Sequence, residues 1–195
     1  RERRDLRTRP DHAMLPTLAG QLPLTEPMDQ EQIERIDAAS LDILEEVGVV
    51  FRDDIALEDW RKAGADVRGE RVHLDRGLVK SLIKTIPSEI TLHARNPEKT
   101  VALGGRKSIF IPMTGAPYLR DLEDVRRAPT LDDLATFHKL AHMLPAMHSS
   151  AHHIVEPMDH PISHRHLRIT HSSMLYSDKT FMGMTTSGQN AEDVL

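Results

Sequence analysis

The chain has 195 residues, with 25 Lys and Arg against 30 Asp and Glu, and no cysteine. A formal charge of −5 offers no basic field to nucleic acid, and the missing thiols exclude disulfides, thiolate metal ligands, iron–sulfur clusters and a cysteine nucleophile. With 39% hydrophobic and 28% charged residues, and no apolar run of about 18 residues, it reads as a globular, cytoplasmic protein that does not span a membrane.

Residues 1–28 read as an extended arm. Arg1, Arg3, Arg4, Arg7 and Arg9 make its start basic, and Pro10, Pro16, Pro23 and Pro27 prevent regular helix. Residues 29–107 read as a cap of helices and small hairpins. Asp29 with Gln32 has the form of a capping box, Ile33, Ile36, Ile43, Leu44 and Val47 recur at helical spacing, and Gly48 suits the helix end. A short apolar run, Val49 to Phe51, follows. Asp53 or Asp54 then starts a helix with Leu57 and Trp60 inward, closed at Gly64. Val67 and Val72 flank an Arg68-Gly69 hairpin turn. Asp75 caps a helix carrying Leu78, Val79, Leu82, Ile83 and Ile86, and Pro87 stops it. Ile90, Leu92 and Ala94 alternate as a strand, Asn96-Pro97 turns the chain, and Val101 and Leu103 return it to Gly104-Gly105.

The rhythm changes in residues 108–195. Ser108–Met113 reads as a strand, Thr114–Pro129 as a long loop, and Thr130 as the cap of a helix with Leu134, Phe137 and Ala141 on one face. Met147–Val155 reads as a second strand, and Ser163 as the cap of a helix through Leu167, Thr170, Met174 and Leu175. Lys179–Thr185 reads as a third strand, and Asn190 as the opening of another helix. Such an order of β and α, with about 30–40 residues per unit, makes a parallel sheet, either a barrel or a doubly wound layer. Three strands close no barrel. The chain also starts at Arg1 without a methionine and ends at Leu195 in a first helical turn, so it reads as a fragment of a longer protein.

In either architecture the site lies at the C-terminal ends of the strands. That rule selects Thr114-Gly115-Ala116-Pro117-Tyr118, continuing to Asp121, then Glu156-Pro157-Met158-Asp159, then Thr186-Ser187-Gly188. Gly183 to Gly188 has the glycine spacing of a phosphate loop, but Gln189 and Asn190 stand where Lys and Ser or Thr would hold phosphate and magnesium, so nucleotide binding is rejected. Nine of the twelve histidines lie between His138 and His171. His138 and His142 share a helix face, but Lys139 occupies the place of the glutamate that zinc proteases carry there. His148 and His152 would share a strand face, with His153 opposite and His164 and His166 at a helix start. With Glu156 and Asp159 these rings can be drawn as a metal site of no recognised spacing; the alternative is ordinary hydrogen bonding. Met174, Met182 and Met184 read as core fillers, and nothing resembles a nucleophile elbow.

The run from Ile36-Asp37-Ala38-Ala39-Ser40 through Leu44-Glu45-Glu46 to Gly48-Val49, followed by Ala63-Gly64-Ala65, resembles the N-terminal region of the trimethylamine methyltransferase family. So do Leu92 to Pro97, Ala116-Pro117-Tyr118 with Asp121, Arg126-Arg127 with Thr130 to Asp133, Glu156 to Pro161 with Arg165-His166-Leu167, and Ser177 to Phe181. The resemblance implies a methyltransferase with a TIM barrel, more than twice this length. Such a chain would hold an N-terminal α+β cap and the first three β/α units of the barrel. Family members move a methyl group from a methylated amine to the cobalt of a corrinoid (cobalamin) carried by a separate protein. Some encode pyrrolysine and act on trimethylamine; many lack it and are linked to quaternary amines such as glycine betaine. The pyrrolysine position falls beyond Leu195.

A quaternary ammonium carries a fixed charge and no N–H, so aromatic faces and carboxylates recognise it. On the loops named above these are Tyr118, Glu156 and Asp159. The expected partners are a corrinoid protein, a small methylated amine and further copies of the chain, with no metal bound by the chain itself. Two other readings stand beside this one. One is a metal-dependent hydrolase barrel using the histidines between His138 and His171; the other is an inactive fragment or interaction module.

Overall fold

A computed structural model describes residues 13–20, 23, 25–183 and 185–194. The basic start of the arm and Met184 lie outside them. The fold is mixed α/β, built of helices and small sheets, and the described residues form two compact units, one within 22–88 and one made of 13–20 with 89–194. The hairpin segments from residue 89 to 107, expected within the cap, group with the later half. In chain order the strands are β1 Leu18–Ala19, β2 Val49–Val50, β3 Asp66–Arg68, β4 Arg71–His73, β5 Glu89–Leu92, β6 Val101–Gly104, β7 Lys107–Ser108, β8 Leu119–Arg120 and β9 Arg126–Arg127. The helices are α1 Gln30–Asp42, α2 Asp54–Lys62, α3 Arg76–Ile83, α4 Leu131–Met143, α5 Ile162–Tyr176 and α6 Gly188–Val194.

In the first unit, α1 starts on the expected capping box: Asp29 Oδ1 accepts from Gln32 N at 2.8 Å and Gln32 Oε1 accepts from Asp29 N at 3.0 Å. A single π turn, Ile43–Val47, continues it to Gly48 at φ +71°. A Cβ on Gly48 would stand 2.6 Å from Val72 O, so the chain needs glycine there to bring β2 against β4. Asp53 and Asp75 cap α2 and α3 as their side chains predict. The antiparallel sheet β2-β4-β3 places Val49 and Val67 beside Val72. Its core is Leu57, Val72 and Leu74, packed by Leu44, Phe51, Trp60, Leu78 and Val79. The helical periodicity overstated burial elsewhere. Ile33, Ile36, Ile43 and Val47 stay exposed, the interior taking Leu41 from α1 and Leu44 from the π turn after it, and Leu82, Ile83 and Ile86 are exposed as well.

The second unit begins with the antiparallel sheet β1-β7-β6-β5. Here Lys107–Ser108 pairs with Leu18–Ala19, so part of the expected arm is a strand and the expected Ser108–Met113 strand is shorter and differently paired. Thr114–Pro129 is no plain loop: it holds the hairpin β8–β9. Three extended segments then lie side by side in chain order, joined by parallel bridges Ala116↔Val155 and Ser149↔Thr180. They follow the expected order but form bridges rather than full strands, and the described residues form no closed barrel. The cause is local. His148 Nδ1 takes the Phe110 N–H, and Ala151, at φ +55°, leaves the extended conformation in the middle of the second segment. Pro112, Pro117 and Pro157 remove further donors.

Helix α4 opens on a second capping box, Thr130 with Asp133. Helix α5 starts at Ile162 behind Pro161 rather than at a Ser163 cap, and α6 starts at Gly188, with Ser187 Oγ accepting from Asn190 N at 3.2 Å. The core of this unit is Leu134, Val155 and Ile169 with Ala116, Leu131, Phe137 and Ile154. No helix among the described residues is long and apolar enough to cross a membrane.

Leu134 is wholly buried and Leu122, at the β8–β9 turn, is wholly exposed. Leu134→Ala therefore costs about 2–5 kcal/mol of stability in denaturant unfolding, whereas Leu122→Ala changes it by less than about 0.5 kcal/mol.

Candidate functional site

The C-terminal ends of the three extended segments form one rim. Glu156 N donates to Ala116 O at 3.0 Å, which sets Glu156 beside the end of the first segment, two residues before Tyr118. Tyr118 is half exposed at the base of the β8–β9 hairpin, with the Arg126 guanidinium 4.1 Å from its ring centroid. That face is presented to a cation and already holds one. Asp121 Oδ1 accepts from Glu123 N and Val125 N and shapes the hairpin tip. Arg127 grips Asp133 through two bonds of 2.6 and 2.8 Å, which hold that carboxyl far below its usual range.

Of the three expected binding residues, the structure brings Tyr118 and Glu156 to the same rim and gives Asp159 other work. Asp159 Oδ1 accepts from Leu131 N at 2.9 Å, at the start of α4, where a carboxylate suits the helix dipole. Glu156 Oε1 lies 2.8 Å from Arg165 Nη1, and Arg165 also donates to His160 O from Nη2 and Nε. One guanidinium thus fastens both ends of the 156–160 loop. Beside this pair is a cavity of about 70 Å³ whose polar lining is His152, Glu156, Arg165, His166, Thr186 and Asn190.

The histidines are mostly interior hydrogen-bonding groups. His138 is fully buried; its Nε2 donates to His152 O at 2.7 Å and its Nδ1 accepts from Ser172 Oγ at 2.9 Å. His152 Nε2 lies 3.1 Å from Thr170 Oγ1. Burial lowers both imidazoles, His152 to about 4, with His153 and His138 adding to the latter. His142, on the same helix face as His138, meets Asp178 at 3.1 Å, and His166 meets Asp193 at 2.9 Å. Among the described residues no three His, Asp or Glu side chains converge as metal ligands.

Two residues that sequence patterns did not single out are central. Lys179 is 2% exposed, and its Nζ donates to Ala141 O, Leu144 O and Met147 O at 2.7, 2.8 and 2.7 Å. It closes the C-terminal end of α4, and burial pulls its pKa down to about 8. A lysine inside an otherwise apolar strand pattern was the available signal. Arg165 is the other, and its partners nine and five residues away give no short-range signature.

A family model described as trimethylamine methyltransferase matches residues 1–195. The chain is 42% identical over 172 residues to the glycine betaine methyltransferase of Desulfitobacterium hafniense (strain Y51), covering 88% of this chain and 36% of that protein. It is 25% identical over 172 residues to the trimethylamine methyltransferase MttB of Desulfitobacterium hafniense (strain DSM 10664 / DCB-2), covering 85% and 34%. It is 33% identical over 109 residues to the proline betaine:corrinoid methyltransferase of Eubacterium limosum, covering 55% and 22%. The chain therefore spans about a third of the length, or less, of the curated relatives it matches.

His152 gives a pH signature. Its folded pKa, about 4, lies below its ordinary 6.5, so the unfolded chain binds the extra proton first. The stabilisation it contributes is complete above 6.5 and is lost as pH falls towards 4. His152→Gln should flatten the stability–pH curve in that window, as read by denaturant melts across pH.

Proposed function

The chain belongs to the trimethylamine methyltransferase family, and we propose that the whole protein takes a methyl group from a quaternary amine of the betaine class and passes it to a corrinoid carried by a separate protein. The observation that carries this reading is the 42% identity over 172 residues to a glycine betaine methyltransferase, against 25% over the same length to a trimethylamine enzyme. The corrinoid appears in the name of the relative that acts on proline betaine. In this reading the three parallel segments with α4 and α5 between them are the first units of a TIM barrel, and their rim belongs to its active face.

The corrinoid supplies the cobalt that accepts the methyl group. In this reading the corrinoid is held by a partner protein, as the name of the proline betaine relative suggests, and the histidines of this chain serve the fold: both ring nitrogens of His138 are spent on hydrogen bonds, and His142 and His166 face carboxylates. The work left to the chain is to position the substrate and exclude water. A quaternary nitrogen offers no proton, so no general base is required. Tyr118 offers a ring face to the ammonium in place of Arg126, and Glu156 offers a carboxylate on the same rim.

The test offers glycine betaine or trimethylamine to the full-length protein with a reduced corrinoid protein. Methyl-cobalt and dimethylglycine form from glycine betaine; methyl transfer from trimethylamine alone, or from neither amine, contradicts the reading. Tyr118→Ala in that enzyme should raise KM for glycine betaine about two- to fivefold, the worth of an exposed cation–π contact. An unchanged KM removes Tyr118 from the site.

A further inference from the structure

Glu156 alone would suit any methylated cation, but it is not alone. Its bond to Arg165 is 2.8 Å long, and the two side chains keep only 24% and 14% of their exposure. The pair is neutral as a unit, so a bare cation gains little charge compensation from it. A molecule carrying both signs offers each member an opposite charge. We propose that Arg165 receives the carboxylate of the substrate while Glu156 faces its quaternary ammonium, so that this pair selects betaines over methylated amines that are cations only. The proposal rests on the function inferred above and names the group that sets its substrate class.

Three observations support a carboxylate at Arg165. First, a guanidinium has five N–H donors, and Arg165 uses one on Glu156 and two on His160 O, leaving one on Nη1 and one on Nη2. Second, the adjoining cavity of about 70 Å³ is lined by Arg165 and Glu156 together and is roomy enough for a carboxylate. Third, its lining supplies donors. Asn190 Nδ2 donates to Thr186 Oγ1 at 2.8 Å, which leaves a second amide hydrogen and the Thr186 hydroxyl hydrogen unspent in that bond. His152 is 3% exposed, and its Nδ1 has no partner among the described residues. When Thr170 Oγ1 donates to His152 Nε2, the neutral ring carries its proton on that Nδ1. Asp193, a carboxylate on the same helix as Asn190, is engaged by His166 Nε2 at 2.9 Å.

Calorimetric binding to the full-length protein tests this with two ligands, glycine betaine and tetramethylammonium, the latter a quaternary cation without a carboxylate. Arg165→Met should weaken glycine betaine about tenfold or more, the worth of a charged hydrogen bond, and leave tetramethylammonium no weaker, or tighter, because Glu156 then has no cation beside it. Arg165→Lys should recover part of the betaine affinity. Equal weakening of both ligands, or of neither, overturns the proposal. If Arg165→Met fails to fold by thermal melting, Asn190→Ala carries the same comparison: a loss confined to glycine betaine supports the subsite, and no selective loss rejects it. Calorimetry does not depend on methyl transfer. A protein that demethylates glycine betaine without the selective loss rejects the subsite alone, and one that shows the selective loss without methyl transfer rejects the activity alone.

Discussion

The buried imidazole of His138 is the contact on which the second unit depends. From α4 it donates to the backbone of the second extended segment and accepts from Ser172 on α5. The three extended segments are joined by short parallel bridges and scattered backbone hydrogen bonds rather than full ladders. The helices reinforce their register, and His138 locks two of them to the segment between. The assignment of donor and acceptor requires a neutral ring, which its burial favours. Around it the apolar cluster of Leu134, Val155 and Ile169 fills the same three-way junction. Lys179 completes the arrangement from the third segment, donating to Ala141 O in the last turn of α4, Leu144 O just past it and Met147 O at the start of the second segment.

With the segments so held, their C-terminal ends converge on one rim. The rim is shaped by ion pairs that tie its loops to the helices that follow them. Arg127 with Asp133 fixes the hairpin to the start of α4, and Arg165 with Glu156 and His160 O fixes the second loop. Such bonds leave little freedom for the loops to reorganise when a ligand arrives, which is the economical way to bind a small polar molecule. The relatives' names and the rim's chemistry agree in one respect. A betaine carries a cation and an anion a few bonds apart, and the rim carries the complementary pair.

What was legible in the sequence was local. The caps at Asp29, Asp53, Asp75 and Thr130, and the glycine turns at Gly48 and Gly69, depend on side chains within about three residues of the backbone they satisfy. What was not legible depended on distant partners. The exposed Ile33, Ile36 and Ile83 keep helical spacing, but which face of each helix is covered depends on distant elements, and the buried residue of α1 is Leu41. In the Ser108–Met113 segment the Phe110 N–H goes to a side chain, that of His148, thirty-eight residues away. At the rim, position after a strand end gives the neighbourhood of Tyr118, Glu156 and Asp159, but not that Asp159 accepts from Leu131 N at the start of α4 or that Arg165 pairs with Glu156.

The most direct measurement is a crystal structure of the full-length protein with glycine betaine bound. The account predicts a closed barrel whose first three strands are the segments described here. The ligand would lie at their C-terminal rim, its carboxylate within hydrogen-bond distance of Arg165 and its ammonium turned to Glu156. A betaine bound away from Glu156 and Arg165, or a fold in which these segments are not barrel strands, would contradict it.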